Sequence, residues 1–284
     1  MKKLSINSKI ILNNKVEMPI IGLGTYKSEN GTQVVDEVKW ALEAGYRLID
    51  TAMIYRNEEG VGKAIKESKV PRKEIFLTTK VWNTDQGYET TLKAFDASLV
   101  RLGLSYVDLY LIHWPTASDD TKESINKRAD TWRAMEEIYR SGKAKAIGVS
   151  NYTITHLEEM KKYAQIPPAV NQVEFHPFLY QEELLNYCKK NDIALEAYRP
   201  LTNGKMLSNE IIEKMAKKYN KTSAQILIRW SLQHGCISIP KSVHEERVIE
   251  NMKVFDFEIL GEDMNELDRL NQNLHLSPNP YNLK

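Results

Sequence analysis

The chain is poor in cysteine, and its two cysteines, Cys188 and Cys236, lie far apart in the sequence. Neither belongs to a pair with the spacing of a metal or redox motif, so we expect two buried, reduced thiols without a chemical role. The six histidines are also scattered and lack the spacing of zinc ligands. The sequence therefore predicts no metal site.

Long apolar runs and an excess of charge of one sign are missing as well. No uninterrupted stretch approaches the roughly 20 apolar residues that cross a bilayer, and the first residues lack the apolar segment of a signal peptide. The net charge is +1, from 39 basic and 38 acidic residues. The protein therefore has no strong positive electrostatic field that would attract nucleic acid or an anionic membrane. We expect a cytoplasmic protein, monomeric by default, without nucleic-acid or membrane partners.

Several familiar functional motifs begin in this chain and then fail. Gly22-Leu-Gly24 starts like a dinucleotide fingerprint, but the third glycine is absent. Gly148-Val-Ser150-Asn-Tyr152 starts like the nucleophile elbow of a hydrolase and fails at its last position. His244-Glu-Glu-Arg-Val248 lacks the second histidine of a zinc helix. The sequence thus argues against these three kinds of site.

What the chain does contain is a regular alternation of short apolar runs and amphipathic stretches. Ten helical stretches are predicted, and a β-hairpin around the turn residues Asn13-Asn14 comes before the first apolar run. Strands that alternate with helices indicate a parallel sheet, and eight strands favour a (β/α)8 TIM barrel with two extra helices over an open doubly wound sheet. We predict one domain spanning residues 1–284. The eight strand-like runs are residues 20–22, 47–50, 75–79, 107–112, 146–149, 170–174, 194–197 and 236–239.

Polar side chains stand at or just beyond the ends of three of these runs. Asp50 closes one of them, Lys80 and His113 directly follow two others, and Tyr55 comes five residues after Asp50. The carboxyl ends of barrel strands form the active-site mouth. A phenol titrates near pH ~10, so Tyr55 donates a proton usefully at neutral pH only if a cation such as Lys80 lowers its pKa. Taken singly, a tyrosine or a histidine is more often a structural residue, and Asp50 with Lys80 could be a structural ion pair. The occurrence of all four near strand ends predicts a catalytic site.

These residues belong to a series of motifs through which the chain resembles the aldo-keto reductases over nearly its whole length. Within that family it is similar to bacterial reductases of glyoxal, methylglyoxal and 2,5-diketo-D-gluconate. The motifs are Gly22-Leu-Gly-Thr25, Asp50-Thr-Ala-Met-Ile-Tyr55, Lys80-Val-Trp82, Leu111-Ile-His113-Trp-Pro115, Asn171-Gln-Val-Glu174, Glu196-Ala-Tyr-Arg-Pro-Leu201 and Ile239-Pro-Lys-Ser-Val243.

The resemblance implies a barrel that binds NADPH across its carboxyl-terminal mouth and reduces small aldehydes and ketones, such as α-dicarbonyls and keto sugars. It implies that Tyr55 is the general acid and that Lys80 lowers the pKa of Tyr55. It further implies that Asp50 pairs with Lys80 and that His113 orients the substrate carbonyl. Donors aimed at the carbonyl oxygen would stabilise the negative charge that hydride transfer creates there.

The resemblance also implies a set of cofactor contacts. Tyr198 would stack on the nicotinamide ring, and Lys241 with Arg247 would clamp the adenosine 2′-phosphate, which favours NADPH over NADH. The carboxamide would bond to Ser150, Asn151 and Gln172, the adenine would face Glu250 and Asn251, and the other expected contacts are Gly24, Thr25, Leu201, Ser242 and Val243.

Two positions near these contacts depart from the family pattern. Arg199 stands where the family commonly has serine, and Asn203 stands where a small residue often touches the pyrophosphate. The permanent cation of Arg199 either tightens cofactor binding or faces solvent.

An apolar wall is expected around the substrate, and the tail of residues 276–284 is too short to fold far over the mouth. We therefore expect an open, permissive pocket. Two other functions stay open: a non-catalytic NADPH-binding regulatory subunit, and a lyase that uses Lys80 as a Schiff base, which Asp50 opposes by holding the lysine charged. The residues expected to line the substrate pocket are Tyr26, Ile54, Trp82 and Trp114.

Overall fold

A closed ring of parallel strands forms the centre of the molecule in the computed structural model, which describes residues 3–115 and 121–282. An antiparallel hairpin, β1 (Lys9–Ile11) and β2 (Glu17–Pro19), comes first, as the sequence predicts. Eight parallel strands follow and neighbour one another in chain order. They are β3 (Leu23–Gly24), β4 (Leu48–Asp50), β5 (Phe76–Val81), β6 (Leu109–Ile112), β7 (Ile147–Ser150), β8 (Val170–Glu174), β9 (Ala194–Tyr198) and β10 (Ile237–Ile239).

Backbone hydrogen bonds between the chain around the first strand and the chain around the last strand close the ring, and one of them joins the amide of Gly24 to the carbonyl of Pro240 at 3.1 Å. The amide of Gly22 donates to the carbonyl of Ser238 at 2.9 Å, and the amide of Ser238 donates to the carbonyl of Ile20 at 2.9 Å. Parallel pairing that returns to its starting strand leaves no open sheet edge. The prediction of a (β/α)8 TIM barrel with an N-terminal hairpin is confirmed.

Helices surround the ring, and in the described residues there are two more helices than barrel strands. The extra helices are α7 (Glu210–Tyr219) and α10 (Gly261–Asp268), and the predicted helix at residues 131–139 is the last part of the longer α4 (Thr121–Arg140). In the described ranges no helix is long and apolar enough to cross a membrane. The helices are α1 (Thr32–Ala44), α2 (Glu58–Glu67), α3 (Tyr88–Leu102), α4 (Thr121–Arg140), α5 (Ile154–Met160), α6 (Glu182–Lys190), α7 (Glu210–Tyr219), α8 (Ser223–Gln233), α9 (Glu245–Met252) and α10 (Gly261–Asp268).

Local sequence explains several helix ends. Gly45 and Gly103 end α1 and α3 with positive φ values of 103° and 63°, the left-handed conformation that glycine adopts without a Cβ clash. At the start of α8, the Thr222 hydroxyl accepts a hydrogen bond from the backbone N–H of Gln225. The side-chain oxygen of Gln225 accepts one from the backbone N–H of Thr222. This capping box satisfies two amides that have no partner within the helix.

The inside of the barrel has an apolar floor and a polar upper level. Leu12 and Met18 of the hairpin region pack against Leu48, Phe76 and Ile237, which stand at the amino ends of their strands. The hairpin therefore closes the amino-terminal end of the barrel. Side chains alternate along a strand, so the next inward positions lie one level higher, toward the carboxyl ends.

Candidate active site

Lys80 lies at the polar upper level, completely buried and bound to an acid. Its ammonium donates to both carboxylate oxygens of Asp50 at 2.7 Å and to the backbone carbonyl of Thr51 at 2.9 Å. Lys80 is 0% exposed and Asp50 is 2% exposed. Burying an ammonium is costly unless it is paired and hydrogen-bonded, and here both conditions are met. The predicted Asp50–Lys80 ion pair is present.

Tyr55 and His113 complete the cluster above that ion pair. The Lys80 ammonium lies 3.4 Å from the Tyr55 hydroxyl. The Tyr55 ring meets the His113 ring edge to face, with centroids 5.6 Å apart, and the Trp82 ring meets His113 in the same manner at 5.0 Å. The structure thus brings together all four residues that the sequence nominates for catalysis.

The pKa shifts of two of these residues arise mainly from burial. Burial raises the pKa of Tyr55 well above its ordinary value and the Asp50 carboxylate adds to this, while Arg199 acts in the opposite direction. The net shift is upward, opposite to the expected lowering, because burial disfavours the charged phenolate more than the nearby cations favour it. Burial, and then the positive charge of Lys80, hold the pKa of His113 well below its usual range. Tyr55 is therefore a protonated phenol at neutral pH, and His113 is a neutral imidazole with one N–H to donate.

Gln172 extends the cluster to a second buried acid. Its side-chain amide donates to Asp50 and to Glu196, both at 2.8 Å. Burial, and then the nearby charge of Asp50, raise the pKa of Glu196 to about 8. Glu196 was not among the predicted site residues, because a glutamate in a strand gives no signal that it points into the barrel.

A cavity of about 1220 Å³ opens at the carboxyl-terminal mouth above this cluster. All but two of the predicted site residues line it. The exceptions are Lys80, which lies beneath Tyr55, and Thr25, whose hydroxyl donates to the Asp50 carbonyl at 2.9 Å. The predicted residues on the wall are Gly24, Tyr26, Asp50, Ile54, Tyr55, Trp82, His113, Trp114, Ser150, Asn151, Gln172, Tyr198, Leu201, Lys241, Ser242, Val243, Arg247, Glu250 and Asn251.

Hydrogen bonds fix the amide-bearing part of this wall. The Ser150 hydroxyl donates to the Gln172 carbonyl at 2.7 Å, and the Asn151 amide donates to the His113 carbonyl at 2.9 Å. The Tyr198 hydroxyl donates to the Asn151 side-chain oxygen at 2.8 Å. Asn151 has a positive φ of 63°, a conformation that asparagine tolerates better than most residues. These contacts hold the side chains in place beside Tyr55.

Another part of the wall carries cations that suit a phosphate. Lys241 and Arg247 both line the cavity, and neither forms an ion pair with an acid in the part of the chain that the structure describes. Burial lowers the pKa of Lys241, and Glu37 acts in the opposite direction. A half-buried ammonium and a guanidinium in one cavity form a favourable site for a phosphate group. The residues present therefore fit the phosphate of a dinucleotide cofactor.

Arg199 and the C-terminal tail meet at the rim. Arg199 donates a hydrogen bond to the carbonyl of Leu276, and the Glu174 carboxylate accepts from the amides of Leu276 and Ser277 at 2.9 Å each. Ser277 and Pro278 consequently line the cavity. The short tail thus reaches the mouth, a contribution that its length alone did not indicate.

Sequence reasoning missed other residues of the wall. Most carry no motif, although the start of α8 could have been suspected because helix N-termini attract anions. In residues 3–115 and 121–282 no cluster of histidine, cysteine and acidic side chains could hold a metal ion. The missed residues are Lys27, Asn83, Pro200, Gly204, Leu207, Thr222, Ser223, Ala224, Ile239, His244, Ser277 and Pro278.

Known proteins are similar to this chain in sequence and in fold. The chain is 55% identical to the glyoxal reductase of Bacillus subtilis over 98% of each chain. It is 48% identical to a 9,11-endoperoxide prostaglandin H2 reductase of Trypanosoma cruzi, over 96% of this chain and 95% of that protein. Its fold matches an aldo-keto reductase from a deep-sea metagenome with a TM-score of 0.91 and 50% identity, over 98% of this chain and 100% of the other.

A further solved structure, the Bombyx mori aldo-keto reductase in complex with NADP, matches with a TM-score of 0.87 and 35% identity, over 96% of this chain and 95% of that one. The model of the aldo/keto reductase family matches residues 20–272. By sequence and by fold, the chain belongs to the aldo/keto reductase family.

Proposed function

We propose that this chain, working as one domain, uses NADPH to reduce small aldehydes and ketones to alcohols, with Tyr55 as the proton donor. The observation that carries the proposal is the Lys80 ammonium, held by Asp50 and placed 3.4 Å from the Tyr55 hydroxyl beneath a large cavity. Family membership supports carbonyl reduction as the chemistry.

The cluster is suited to stabilise charge on a carbonyl oxygen. NADPH, when bound, supplies the hydride for the carbonyl carbon. As negative charge grows on the oxygen, Tyr55 donates its proton and His113 donates a hydrogen bond. The Lys80 ammonium stabilises the phenolate that remains, and Asp50 keeps that ammonium charged and in position. A raised pKa for Tyr55 is compatible with this role, because reduction begins with the protonated phenol.

The cavity offers matching groups for the cofactor. Lys241 and Arg247 would hold the 2′-phosphate, which gives the preference for NADPH over NADH. Ser150 and Asn151 would meet the nicotinamide carboxamide, and the Tyr198 ring offers a flat apolar face to the nicotinamide. The NADP complex of the Bombyx mori relative supports this choice of cofactor.

The substrate end of the cavity favours small carbonyl compounds. Tyr26, Ile54, Trp82 and Trp114 surround the polar corner made by Tyr55 with apolar surface. The likeness to a glyoxal reductase supports α-dicarbonyls such as glyoxal and methylglyoxal.

The bonding of Lys80 opposes the Schiff-base alternative. Its ammonium donates to both Asp50 carboxylate oxygens, to the Thr51 carbonyl and to the Tyr55 hydroxyl. A Schiff base needs a neutral amine with a free lone pair. Borohydride treatment with a carbonyl substrate would trap a lysine adduct in a lyase, and we expect none.

The test compares wild type with Tyr55→Phe by the loss of NADPH absorbance in the presence of methylglyoxal. We expect the variant to lose roughly 10²–10⁴-fold in kcat, the usual contribution of a positioned general acid. NADPH binding, followed by protein fluorescence, should be unchanged. Tyr106→Phe is a matched control, because Tyr106 lies outside the cavity wall. Full activity in Tyr55→Phe, or NADPH binding without turnover of any aldehyde by wild type, would contradict the proposal; the latter outcome fits the regulatory-subunit alternative.

A further inference from the structure

Arg199 places a cation inside the cavity at the end where the proposed chemistry occurs. Its guanidinium carbon lies 5.8 Å from the centre of the Tyr26 ring, and the Tyr26 ring lies 5.1 Å from the Tyr55 ring. Arg199 itself lines the cavity. Its charge is close enough to act on Tyr55 and on Tyr198, the residues proposed to face the substrate and the nicotinamide.

Most hydrogen-bond donors of Arg199 are available to a ligand. One N–H donates to the carbonyl of Leu276. A guanidinium carries five N–H donors. No acidic side chain within residues 3–115 and 121–282 forms an ion pair with Arg199. The contacts with Leu276 and Tyr26 nevertheless hold the group in place, so a ligand meets a cation that is partly preorganised.

Two cations, Arg199 and Lys27, line this end of the cavity. The Glu174 carboxylate, which also acts on Tyr198, accepts hydrogen bonds from the amides of Leu276 and Ser277. The Lys27 ammonium lies 5.6 Å from the same Tyr26 ring and also lines the cavity. The acids on the described cavity wall are Asp50 and Glu250. Asp50 is neutralised by Lys80, and Glu250 accepts a hydrogen bond from Thr222 at the start of α8. A cleft lined by one sign of charge concentrates ligands of the opposite sign.

We propose that Arg199 binds a carboxylate on the substrate, so that this site prefers aldehydes and ketones bearing a carboxylate over their neutral analogues. The planar guanidinium matches a carboxylate with two parallel hydrogen bonds, and such charged bonds are stronger in a partly buried site. This proposal rests on the reductase function proposed above. The competing ligand of the same chemistry is the diphosphate of NADPH, and the experiment separates the two.

The experiment compares 4-formylbenzoate with its neutral methyl ester at saturating NADPH. In Arg199→Ser we expect kcat/KM for the anionic aldehyde to fall about tenfold or more, mainly through KM, because a charged hydrogen-bonded contact is lost. The value for the ester should stay within about twofold. Arg199→Lys keeps the charge and should give an intermediate value. Arg269→Ser removes the same charge from an exposed position away from the cavity and should match wild type.

Two outcomes would overturn the proposal. An equal fall for both aldehydes with a raised KM for NADPH would assign Arg199 to the cofactor diphosphate. Unchanged values for both would remove any role in binding.

A binding measurement distinguishes failure of this proposal from failure of the reductase function. The products, 4-(hydroxymethyl)benzoate and its methyl ester, are titrated while the fluorescence of Trp82 and Trp114 on the cavity wall is followed. Tighter binding of the anion to wild type, lost in Arg199→Ser, supports the carboxylate site even without turnover. Equal binding of both compounds to wild type overturns it.

Discussion

At the scale of single residues, Lys80 and Asp50 form a buried ion pair that is also part of the proposed catalytic cluster. Both groups are buried, and each is satisfied mainly by the other. Removing one member of a buried pair typically costs 3–5 kcal/mol, because the remaining charge has no equal partner, whereas removing both charges costs much less. The effect of the pair on stability and its effect on activity can therefore be separated by mutation.

We predict that Lys80→Met lowers the unfolding free energy by about 3–5 kcal/mol and that adding Asp50→Asn restores most of it. Neither variant should recover carbonyl reduction, because the ammonium beside Tyr55 is absent in both. Urea unfolding and NADPH consumption measure the two effects. A double variant as unstable as Lys80→Met would show that the pair has little coupling.

Glu196 links this pair to the pH dependence of stability. Its pKa in the folded protein is about 8, above the ordinary value of 4.5 that the unfolded chain has. The folded protein therefore retains a proton between these values that the unfolded chain has released. The stabilisation from Glu196 is complete below about pH 4.5 and is lost as the pH rises toward 8.

We predict that Glu196→Gln is more stable than wild type at about pH 9 and equally stable at about pH 4. The glutamine keeps an acceptor for the Gln172 amide, so the local hydrogen bond survives. Chemical denaturation at the two pH values measures the difference. A gain of equal size at both pH values would show that the titration of Glu196 is not its cause.

The sequence identifies some of these residues and not others. Asp50, Tyr55, Lys80 and His113 could be predicted because each stands at a strand end or shortly after one, and the barrel brings strand ends together. The pKa of Tyr55 could not be predicted, because it depends on burial that only the packed structure reveals. The orientation of Arg199 was likewise left open, since its contacts with Tyr26 and Leu276 join segments far apart in the chain.

At the scale of helices and strands, close approach depends on small residues at particular positions. A Cβ added to Gly62 on α2 would lie 2.0 Å from the carbonyl oxygen of Leu102 at the end of α3. The two helices therefore contact each other through the glycine itself. By contrast, a Cβ added to Gly261, at the start of α10, would have no atom within 4 Å.

We predict that Gly62→Ala destabilises the protein by roughly 1–3 kcal/mol, because α2 and α3 must separate or distort. Gly261→Ala, the matched control, should be neutral or stabilising by up to about 1 kcal/mol, because it restricts the unfolded chain without a clash. Thermal unfolding of both variants measures this difference. Equal effects of the two substitutions would contradict the close contact.

Some helix ends could be predicted from the sequence, and others could not. Gly45 and Gly103 mark ends that the structure confirms, because a left-handed glycine is a local signal. The start of α4 was missed, since its first turns are too polar to show apolar periodicity. The position of the tail at the mouth was also missed, because it depends on Glu174, about a hundred residues earlier in the chain.

At the scale of the whole molecule, the two ends of the barrel have separate tasks. The amino-terminal end is closed by apolar side chains of the hairpin region, and the carboxyl-terminal end carries the cavity and its polar cluster. In barrels of this kind, residues at the amino-terminal end contribute to stability, while residues at the carboxyl ends of the strands contribute to activity.

Met18 allows this separation to be tested. It is 0% exposed and packs with Leu48 and Phe76 at the closed end, so Met18→Ala should cost about 2–5 kcal/mol of unfolding free energy. The kcat/KM for methylglyoxal should stay unchanged while the protein remains folded. Ile11→Ala is the control on the same hairpin, because Ile11 is 67% exposed and should change neither quantity. A large loss of activity in folded Met18→Ala would mean that the hairpin also positions the catalytic cluster, and the two ends would then act as one unit.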